Sequence, residues 1–390
     1  MVPVRCFAAC AIATVLVACG GGDTSGAGGG QSTSSSTGGG GAQSTGGDST
    51  SSSTGGQGGA PGGLTLLTLN LHCFQLGGTT FATNAERLQA IVDFAAANGV
   101  DAMTVQEACQ RAGEDAIATL RDGLTAATGQ PWSSEWAFAH VAWEGTPDEA
   151  DEGVGLLIRG ESADPVTLEH AVQSALRRVA VSARLPDDLG GLRVMSIHYD
   201  VFDAPARAAQ AREAAAAALV QSDPGLDAIV AGDFNDVEGS PAWSAFPAMG
   251  YLAADEGLSA TGIDHVMIHR ATPLRPAKVE EVLTGMQAVS DHPGVLVHFA
   301  PAAPDAVTIT RITTTFDPGP GHHLSVRGDA APLTWDFGFA MARTPSARSL
   351  VLTEIAGPFE FKLLRDDTDW QQGANVQGTP GADTPVTPIF

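Results

Sequence analysis

Basic residues are scarce in this chain, and their scarcity argues against one class of function. The 390 residues include 20 lysines and arginines against 44 aspartates and glutamates, a formal net charge of −24. Only Lys278 and Lys362 are lysines, and no basic cluster stands out. A protein that binds nucleic acid mainly by neutralising its phosphates needs a basic surface on at least one side. The sequence therefore speaks against that mode of binding, although a nucleic acid held at a metal ion stays open.

The chain also lacks collagen triplets, heptad arrays and long internal repeats, which excludes fibrous and solenoid proteins. Glycine, in contrast, is abundant, and 19 of the 47 glycines fall in residues 20–63 beside 16 serines and threonines. Such a segment cannot bury a core, so it is predicted to be a disordered linker. Residues 64–390 remain for folding, enough for one large domain and one small one.

The first residues predict export. Arg5 precedes a short apolar run at residues 6–18, which is too short to span a bilayer permanently. The run ends in Leu-Val-Ala-Cys, which resembles a bacterial lipobox, so residues 1–18 are expected to be a signal peptide and Cys19 the lipidated residue. Residues 19–63 would then tether the protein to the cell envelope, at the outer membrane or the cell surface. An ordinary signal peptide that contains a cysteine is the alternative.

Two further patterns predict the fold. Over residues 64–300, helical segments such as 84–98 alternate with short apolar strands, some of which follow one another directly, as 178–185 and 192–197 do. This order predicts an α/β domain with a mixed sheet. From residue 307 onward, short alternating runs separated by turns predict a small all-β sandwich over residues 306–390.

Polar residues recur at the ends of the apolar strands of the first domain. The strand-end residues are Asn70, Gln106, Glu107, His198, Asp233, Asn235, Asp264, Asp291 and His292. Six strand ends that are all rich in Asp, Glu, Asn and His predict one converging site at a sheet edge. Each residue alone is more often structural, in a turn or as a satisfied core histidine.

Metal-assisted hydrolysis of a phosphate ester is the chemistry that needs these residue types. A hard divalent cation prefers carboxylate and amide oxygens, so Glu107, with Asn70 and Asp291, could hold Mg²⁺. The attacking water needs a base, which could be His292 oriented by Asp264, or Asp233 itself. Two further residues, Asn235 and His198, could donate hydrogen bonds to the phosphate oxygens.

The segments LTLNLH, VDAMTVQE, LRVMSIH, AIVAGDFN, GIDHVMI and SDHPGVLV resemble, in order, the motifs of the endonuclease/exonuclease/phosphatase superfamily. This superfamily includes pancreatic-type deoxyribonucleases, abasic-site endonucleases, neutral sphingomyelinases and inositol polyphosphate phosphatases. The resemblance implies a four-layer α/β sandwich with two packed mixed sheets over residues 64–300. Ile197, Tyr199 and Pro293 depart from the usual motifs, which puts the substrate in doubt more than the activity.

The resemblance also implies roles for the strand-end residues. Mg²⁺ is expected at Glu107 with Asn70 nearby, with Mn²⁺ or Ca²⁺ as alternatives, and His292 is expected to be the general base or a phosphate ligand with Asp264 as its partner. The resemblance further implies that Asp233 and Asn235 position water and stabilise the transition state. It implies that His198 contacts the scissile phosphate.

Two cysteines remain for the folded part once the signal peptide and Cys19 are set aside. In an oxidising compartment, two cysteines predict one disulfide. If Asn70 and Glu107 share a metal site, Cys73 and Cys109 follow neighbouring strand ends, and a bridge between them would pin the loops that flank the metal.

The segments LSVRGDAAPLTWDFGFAM and FEFKLLRDDTDWQQGAN are similar to starch-binding carbohydrate modules. The resemblance implies that Trp335, Lys362 and Trp370, with Asn375 nearby, contact an α-glucan or another polysaccharide. The alternative is that the two tryptophans are core or edge residues of an immunoglobulin-like sandwich.

These patterns together predict an exported, monomeric, Mg²⁺-dependent phosphodiesterase that acts on nucleic acid or another phosphate diester. Phosphomonoesterase and phospholipase C-type activities are alternatives, and the absence of a large apolar hairpin in the sequence disfavours a sphingomyelinase-like enzyme. A surface lipoprotein that binds polysaccharide through an inactive first domain is the alternative from another class.

Overall fold

The computed structural model describes residues 62–258 and 262–390. The predicted signal peptide, Cys19 and nearly all of the predicted linker lie outside the described residues. Residues 62–301 contain thirteen strands and four α-helices, which are, in chain order, β1 (Leu64–Asn70), α1 (Asn84–Ala97), β2 (Ala102–Arg111), β3 (Glu114–Asp115), α2 (Ala116–Thr128), β4 (Trp132–Ala142), β5 (Ala150–Arg159), β6 (Ala163–Glu169), β7 (Val179–Arg184), β8 (Arg193–His198), α3 (Ala204–Ser222), β9 (Ala228–Asp233), α4 (Pro241–Ala248), β10 (Tyr251–Ala253), β11 (Asp264–His269), β12 (Leu274–Val282) and β13 (Gly294–Pro301).

The strands of this region form two mixed sheets. The first has the order β12-β13-β1-β2-β5-β4, with β3 paired to β2, and the second has the order β10-β11-β9-β8-β7-β6. Only β1 with β2 and β8 with β9 run parallel, and each of these pairs is joined through a helix. This connection is expected because a parallel pair needs a crossover, whereas antiparallel neighbours can follow one another directly.

Three apolar cores stack these elements into four layers. One core fills the space between the two sheets, a second lies between the first sheet and helices α1 and α2, and a third lies between the second sheet and helices α3 and α4. The predicted four-layer α/β sandwich with two mixed sheets is confirmed. Strands β3, β4, β6, β10 and β12 were not predicted from the sequence. Of these, β6 is largely exposed and β12 is exposed or half-buried over most of its length, and neither carries an apolar run.

The helices begin where local residues favour a start. The Thr83 hydroxyl accepts a hydrogen bond from the Glu86 amide at 3.2 Å, and the Asp203 carboxylate accepts one from the Ala206 amide at 3.0 Å. These side chains satisfy amides that have no partner within the first turn of a helix.

Strand ends from both sheets meet at one edge of the sandwich, called here the site edge. Both parallel pairs end there, so β1 delivers Asn70 while β8 and β9 deliver His198 and Asp233. The antiparallel strands β11 and β13 begin there, at Asp264 and Gly294. A hydrogen bond of 3.1 Å between the Asn70 amide and the Asp233 carboxylate joins the two sheets at this edge.

Residues 310–385 form two further sheets without α-helices. Their strands are β14 (Thr310–Thr314), β15 (Leu324–Gly328), β16 (Phe339–Ala340), β17 (Ala342–Arg343), β18 (Arg348–Leu352), β19 (Phe359–Arg365), β20 (Asp369–Trp370), β21 (Val376–Gly378) and β22 (Asp383–Pro385). One sheet has the order β17-β18-β14-β22, and the other has the order β16-β15-β19-β20 with β21 paired to β19.

The C-terminal sheets pack against α3 and share the apolar core on that side of the second sheet. The Arg212 guanidinium of α3 lies 4.1 Å from the centre of the Phe337 ring, and Arg311 of β14 forms an ion pair with Asp223 at the end of α3. None of the helices in the described residues is long and apolar enough to cross a bilayer.

Candidate active site

The central feature of the site edge is a pair formed by the buried Asp264 and the half-buried His292. The Asp264 carboxylate lies 2.8 Å from Nδ1 of His292, and Asp264 is directly opposite Asp233 in the register of β11 and β9. Ligand atoms of Asp233, Asp264 and His292 all lie within 4.8 Å of one another. A cavity of about 270 Å³ opens beside this group, and its lining includes Asp291 and Pro293.

Asn70 and Glu107 lie next to this group. The Asn70 amide donates to the Glu107 carboxylate at 3.0 Å as well as to Asp233, and the Asn70 side-chain oxygen accepts from the His72 amide at 2.8 Å. Glu107 was expected to end its strand, but β2 continues to Arg111. The pairing of β2 with β5 shifts register between Val105 and Ala108, and Glu107 lies within this shift with a φ of 46°. The bulge turns the Glu107 side chain out of the regular alternation of the strand.

His198 is held in one tautomer by its neighbours. Its Nδ1 lies 3.0 Å from the guanidinium of Arg178, which can only donate, so Nδ1 accepts and Nε2 carries the proton. That Nε2 points towards Asp233 at 3.5 Å. Burial, together with the positive charge of Arg178, lowers the pKa of His198 well below its usual value, so the ring is neutral.

Asn235 organises the loop that follows β9. Its backbone amide donates to the Asp233 carboxylate at 2.7 Å, and its side-chain amide donates to the Tyr199 carbonyl at 3.0 Å. Its φ of 51° is uncommon outside glycine but tolerated by asparagine. Asn235 therefore links the loops after β8 and β9, with its side-chain oxygen left for a ligand.

Asp291 is the most exposed of the predicted site residues. Its carboxylate accepts a hydrogen bond from the Ser290 hydroxyl at 3.2 Å and lies 3.2 Å from Nδ1 of His72. No hydrogen bond or ion pair within the described residues joins it to Asn70 or Glu107. The structure thus brings Asn70, Glu107, Asp233, Asp264, His198 and His292 together, with Asp291 at the entrance.

Two residues of the site have pKa values far from their usual ranges. Burial raises the pKa of Asp233 to about 7, and the negative charge of Asp264 adds to this effect. Burial alone would lower the pKa of His292, but its hydrogen bond to Asp264 and the charges of Asp264 and Asp233 raise it to about 10. A carboxylate that titrates near neutral pH beside a charged imidazolium is suited to proton transfer.

Further charges surround this centre. Burial raises the pKa of Glu152 to about 8, and the negative charge of Glu107 adds to this effect while Arg178 opposes it. One oxygen of Asp264 is buried with no hydrogen-bond partner among the described residues. Converging carboxylates that repel one another, an unpaired carboxylate oxygen and the nearby Asn70 amide form an oxygen-rich donor set, which fits a hard divalent cation.

Two buried connections hold the loops of the site edge. Cys73 and Cys109 form a disulfide, as predicted, between the loop after β1 and the end of strand β2. The fully buried guanidinium of Arg87 donates to the carbonyls of Leu71, Cys73 and Val289, the last at 3.1 Å. Arg87 thereby joins the loop after β1 to the loop that carries Asp291 and His292.

Sequence reasoning missed three of these residues. Glu152 is the third residue of β5, and Arg178 directly precedes β7, so both lie where an antiparallel strand begins at the site edge. A polar residue at the start of an apolar strand is the same kind of signal as one at its end, and it marks both positions in the sequence. Arg87 lies on the apolar face of α1, where a buried charge gives no local signal.

The C-terminal residues predicted to bind carbohydrate lie close together. The rings of Trp335 and Trp370 are 6.1 Å apart with their planes inclined by 35°, and Trp370 is exposed. The Lys362 ammonium donates to the carbonyls of Gln371 and Gly373, and the Asn375 amide donates to Glu360. In this arrangement Lys362 and Asn375 brace the turn that presents Trp370.

Comparisons with known proteins identify the family of this chain and structures with a similar fold. The endonuclease/exonuclease/phosphatase family profile matches residues 67–292. No curated protein sequence is significantly similar to the chain. A family protein from Leptotrichia buccalis is similar in structure, with a TM-score of 0.50 and 17% identity over 60% of this chain and 99% of that one.

Two other solved structures are similar over different lengths. The endonuclease/exonuclease/phosphatase from Beutenbergia cavernae has a TM-score of 0.49 and 17% identity over 81% of this chain and 99% of its own. The human Nocturnin catalytic domain with bound sulfate has a TM-score of 0.49 and 15% identity over 62% of this chain and 96% of its own. The members of this family are metal-dependent phosphoester hydrolases. Because the family profile spans more than half of the chain, the chain belongs to the endonuclease/exonuclease/phosphatase family.

Proposed function

We propose that the protein is a Mg²⁺-dependent phosphodiesterase exported to the bacterial cell envelope. The observation that carries the proposal is the cluster of Asp233, Asp264 and His292 within 4.8 Å, next to the hydrogen-bonded pair of Asn70 and Glu107. Mn²⁺ or Ca²⁺ would suit the same oxygen donors. The substrate is a phosphate diester, with nucleic acid and other diesters as the classes to compare.

The raised pKa values of Asp233 and His292 support two proton-transfer roles in this proposal. Asp233, with a pKa of about 7, accepts the proton of the attacking water as the oxygen of that water bonds to phosphorus. The ester bond to the leaving oxygen breaks, and the His292 imidazolium, with a pKa of about 10, donates a proton to that oxygen or a hydrogen bond to the phosphoryl group. Of the two bases considered from the sequence, this favours Asp233.

Neutral His198 contributes its Nε2–H, and Arg178 contributes the positive charge behind it. These donors are fixed in place before substrate binds, which is what stabilises charge on a phosphoryl oxygen effectively. Glu107 and Asn70, with Asp291 at the entrance, are the residues that would hold the cation. A bound divalent cation neutralises charge that develops on the phosphoryl oxygens.

The test is hydrolysis of bis-p-nitrophenyl phosphate and DNA with added Mg²⁺. We expect EDTA, Glu107→Ala and His292→Ala each to abolish hydrolysis, and Glu161→Ala, an exposed carboxylate between β5 and β6 at the opposite edge, to leave it unchanged. Comparison with p-nitrophenyl phosphate separates a diesterase from a monoesterase. No hydrolysis of any phosphoester in a broad panel would sink the proposal and favour an inactive, polysaccharide-binding lipoprotein.

A second candidate function belongs to the C-terminal sandwich. The paired rings of Trp335 and Trp370 offer apolar faces on which a sugar ring can stack, which favours binding of an α-glucan or another polysaccharide. We expect the protein to co-sediment with insoluble starch and Trp370→Ala to abolish this. Retention of wild-type binding by Trp370→Ala would exclude this surface.

Localisation is tested separately, because Cys19 lies outside the described residues. We expect metabolic labelling with a radioactive fatty acid to mark the protein in a bacterial host and Cys19→Ser to abolish the label. A labelled Cys19→Ser variant, or an unlabelled wild-type protein, contradicts anchoring through this residue.

A further inference from the structure

Large apolar side chains that are exposed to solvent concentrate on one edge of the catalytic region. Seven of the nine in residues 62–258 and 262–301 form what is called here the apolar rim: Val141, Trp143, Val172, Val201, Phe202, Val237 and Met286. The other two, Phe138 and Val166, lie within the edge strands β4 and β6. The two most exposed, Met286 at 90% and Phe202 at 69%, are at loop positions where nothing covers them. A single exposed apolar residue needs no explanation, but a group at one place does.

The strand topology places all seven around the substrate entrance. Val201 and Phe202 follow β8, Val237 follows β9, and the loop with Met286 leads from β12 to the start of β13. The end of β4, which carries Val141 and Trp143, pairs with the start of β5, and Val172 lies in the loop between β6 and β7. Each of these loops is at the site edge, because it follows the last residue of β8 or β9, or leads into the first residue of β5, β7 or β13, and those strand ends lie there.

The loops at the opposite edge of the sandwich differ from those at the site edge in their exposed apolar side chains. The loops there lead from α1, α2 and α3 into β2, β4 and β9, from β5 into β6, from β7 into β8 and from β11 into β12. Within residues 62–258 and 262–301, none of the exposed large apolar side chains lies on these loops. The asymmetry therefore follows the position of the active site rather than the general character of the surface.

The most exposed members are held outward by defined contacts. The Asp200 carboxylate accepts hydrogen bonds from the amides of Phe202 at 2.8 Å and Asp203 at 2.7 Å, which fixes the turn that presents Phe202. The Thr80 hydroxyl donates to the Met286 carbonyl at 3.2 Å. These contacts tie the backbone at both positions while leaving the two side chains in solvent.

The charges on the same loops indicate which surface the rim can meet. The acidic residues Glu144, Asp148, Glu149 and Glu238 are exposed among the apolar ones. The nearby cations are already paired, Arg177 with Glu169 and Arg207 with Asp236. An anionic bilayer would repel this rim, whereas a bilayer with no net charge would accept its apolar side chains.

We propose that the apolar rim docks on a zwitterionic lipid surface and presents the site edge to phosphate diesters in lipid headgroups. The docking itself depends only on the rim, and the cleavage of a headgroup rests on the proposed phosphodiesterase function. Apolar side chains enter the interfacial region of the bilayer, and the active site then faces the headgroup layer from which a substrate phosphate must come.

A single-stranded nucleic acid is the other macromolecule that exposed aromatic rings could bind. Binding of that kind combines stacking with a positively charged groove. Five of the seven rim residues are aliphatic and cannot stack on bases as an aromatic ring does, and the unpaired charges among them are negative. The rim therefore favours lipid over nucleic acid.

The test measures binding apart from catalysis. The chain from residue 19 onward, carrying Cys19→Ser so that no lipid is attached, is co-sedimented in EDTA with vesicles of phosphatidylcholine, of phosphatidylglycerol, or with single-stranded DNA. The rim variant is Phe202→Ser with Met286→Ser, and the control is Ile389→Ser, which removes an apolar side chain of similar exposure, 66%, from the C-terminal region. Hydrolysis of bis-p-nitrophenyl phosphate with Mg²⁺ reports whether each variant keeps its active site.

We expect wild-type protein and Ile389→Ser to bind phosphatidylcholine vesicles equally and the rim variant to bind at least about tenfold more weakly. Hydrolysis of the soluble diester should be the same in all three. Absence of wild-type binding, equal binding by the rim variant, or tighter binding to phosphatidylglycerol or DNA overturns the proposal. Vesicle binding without hydrolysis of any diester would instead contradict the phosphodiesterase function and leave the docking surface standing.

Discussion

The pairing of Asp264 with His292 makes a sharp prediction for the variant Asp264→Asn. The Asp264 carboxylate lies 2.8 Å from Nδ1 of His292, and Asp233 lies 4.0 Å from the same nitrogen. Asparagine keeps the shape of the side chain and an oxygen that can accept a hydrogen bond, but it removes the negative charge. The perturbation therefore isolates the electrostatic part of the pair.

The magnitude follows from the balance of effects on His292. Burial lowers its pKa, yet the Asp264 hydrogen bond and charge, with help from Asp233, bring it from 6.5 to about 10. Without the Asp264 charge, burial is opposed mainly by Asp233. We expect the pKa of His292 to fall by at least about two units, which is equivalent to about 2.7 kcal/mol.

The sign of the stability effect can be stated as well. Because the folded-state pKa of His292 is raised, its contribution to stability is fully present below pH 6.5 and is lost as the pH rises through about 10. Asp264→Asn should therefore lower the free energy of unfolding at pH 6 more than at pH 10.

The assay is a titration of the histidine ring protons by NMR in EDTA, in which the His292 resonance is identified by its loss in His292→Gln. Asp255→Asn is the matched control, because Asp255 pairs with His265 at 2.7 Å in the same manner. It should lower the pKa of His265 and leave that of His292 in place. If His292 in Asp264→Asn titrates within about half a pKa unit of wild type, the assigned role of Asp264 is refuted.

Three further predictions concern stability. Arg87→Leu leaves the carbonyls of Leu71, Cys73 and Val289 without their donor, so urea denaturation should show a free energy of unfolding lower by about 3–5 kcal/mol. A loss below about 1 kcal/mol would contradict the role of Arg87 in joining these loops. Replacing Cys73 and Cys109 together by Ala opens a loop of 36 residues and should cost about 3–4 kcal/mol in the same assay, whereas an unchanged midpoint refutes the bridge. Burial lowers the pKa of His269 to about 4, so wild-type stability should fall between pH 6.5 and 4 by up to about 3 kcal/mol more than that of His269→Gln; parallel pH profiles by denaturant unfolding would contradict this.

The residues that the sequence identified share one local signal. Asn70, His198 and Asp233 each end a run of apolar residues, and a polar side chain at that position is visible without any knowledge of the fold. The layer order could also be predicted, because alternating helices and buried strands leave few other arrangements. Those parts of the structure depend on periodicity and on side-chain type, which the sequence displays directly.

The parts that were missed depend on pairing between distant segments. The bulge at Glu107 is a register shift between β2 and β5, so it exists only once those strands are aligned. Glu152 and Arg178 join the site because antiparallel strands begin where parallel strands end. The apolar rim cannot be recognised in the sequence for the same reason, since its members come from five separate segments of the chain and no hairpin in the sequence is apolar along its length.

The distribution of charge explains how so acidic a protein can bind an anionic substrate. The cations at the site, Arg178 and the imidazolium of His292, are buried or nearly so, and a divalent metal ion would lie beside them. Buried charges act at short range and are screened little by salt, whereas a surface that steers nucleic acid must be basic over a wide area. Attraction for phosphate is therefore confined to the centre of the site, while the surrounding surface is apolar and acidic. A substrate that approaches through its own apolar surroundings, and that carries a phosphate without a large excess of negative charge, suits this arrangement better than a polyanion does.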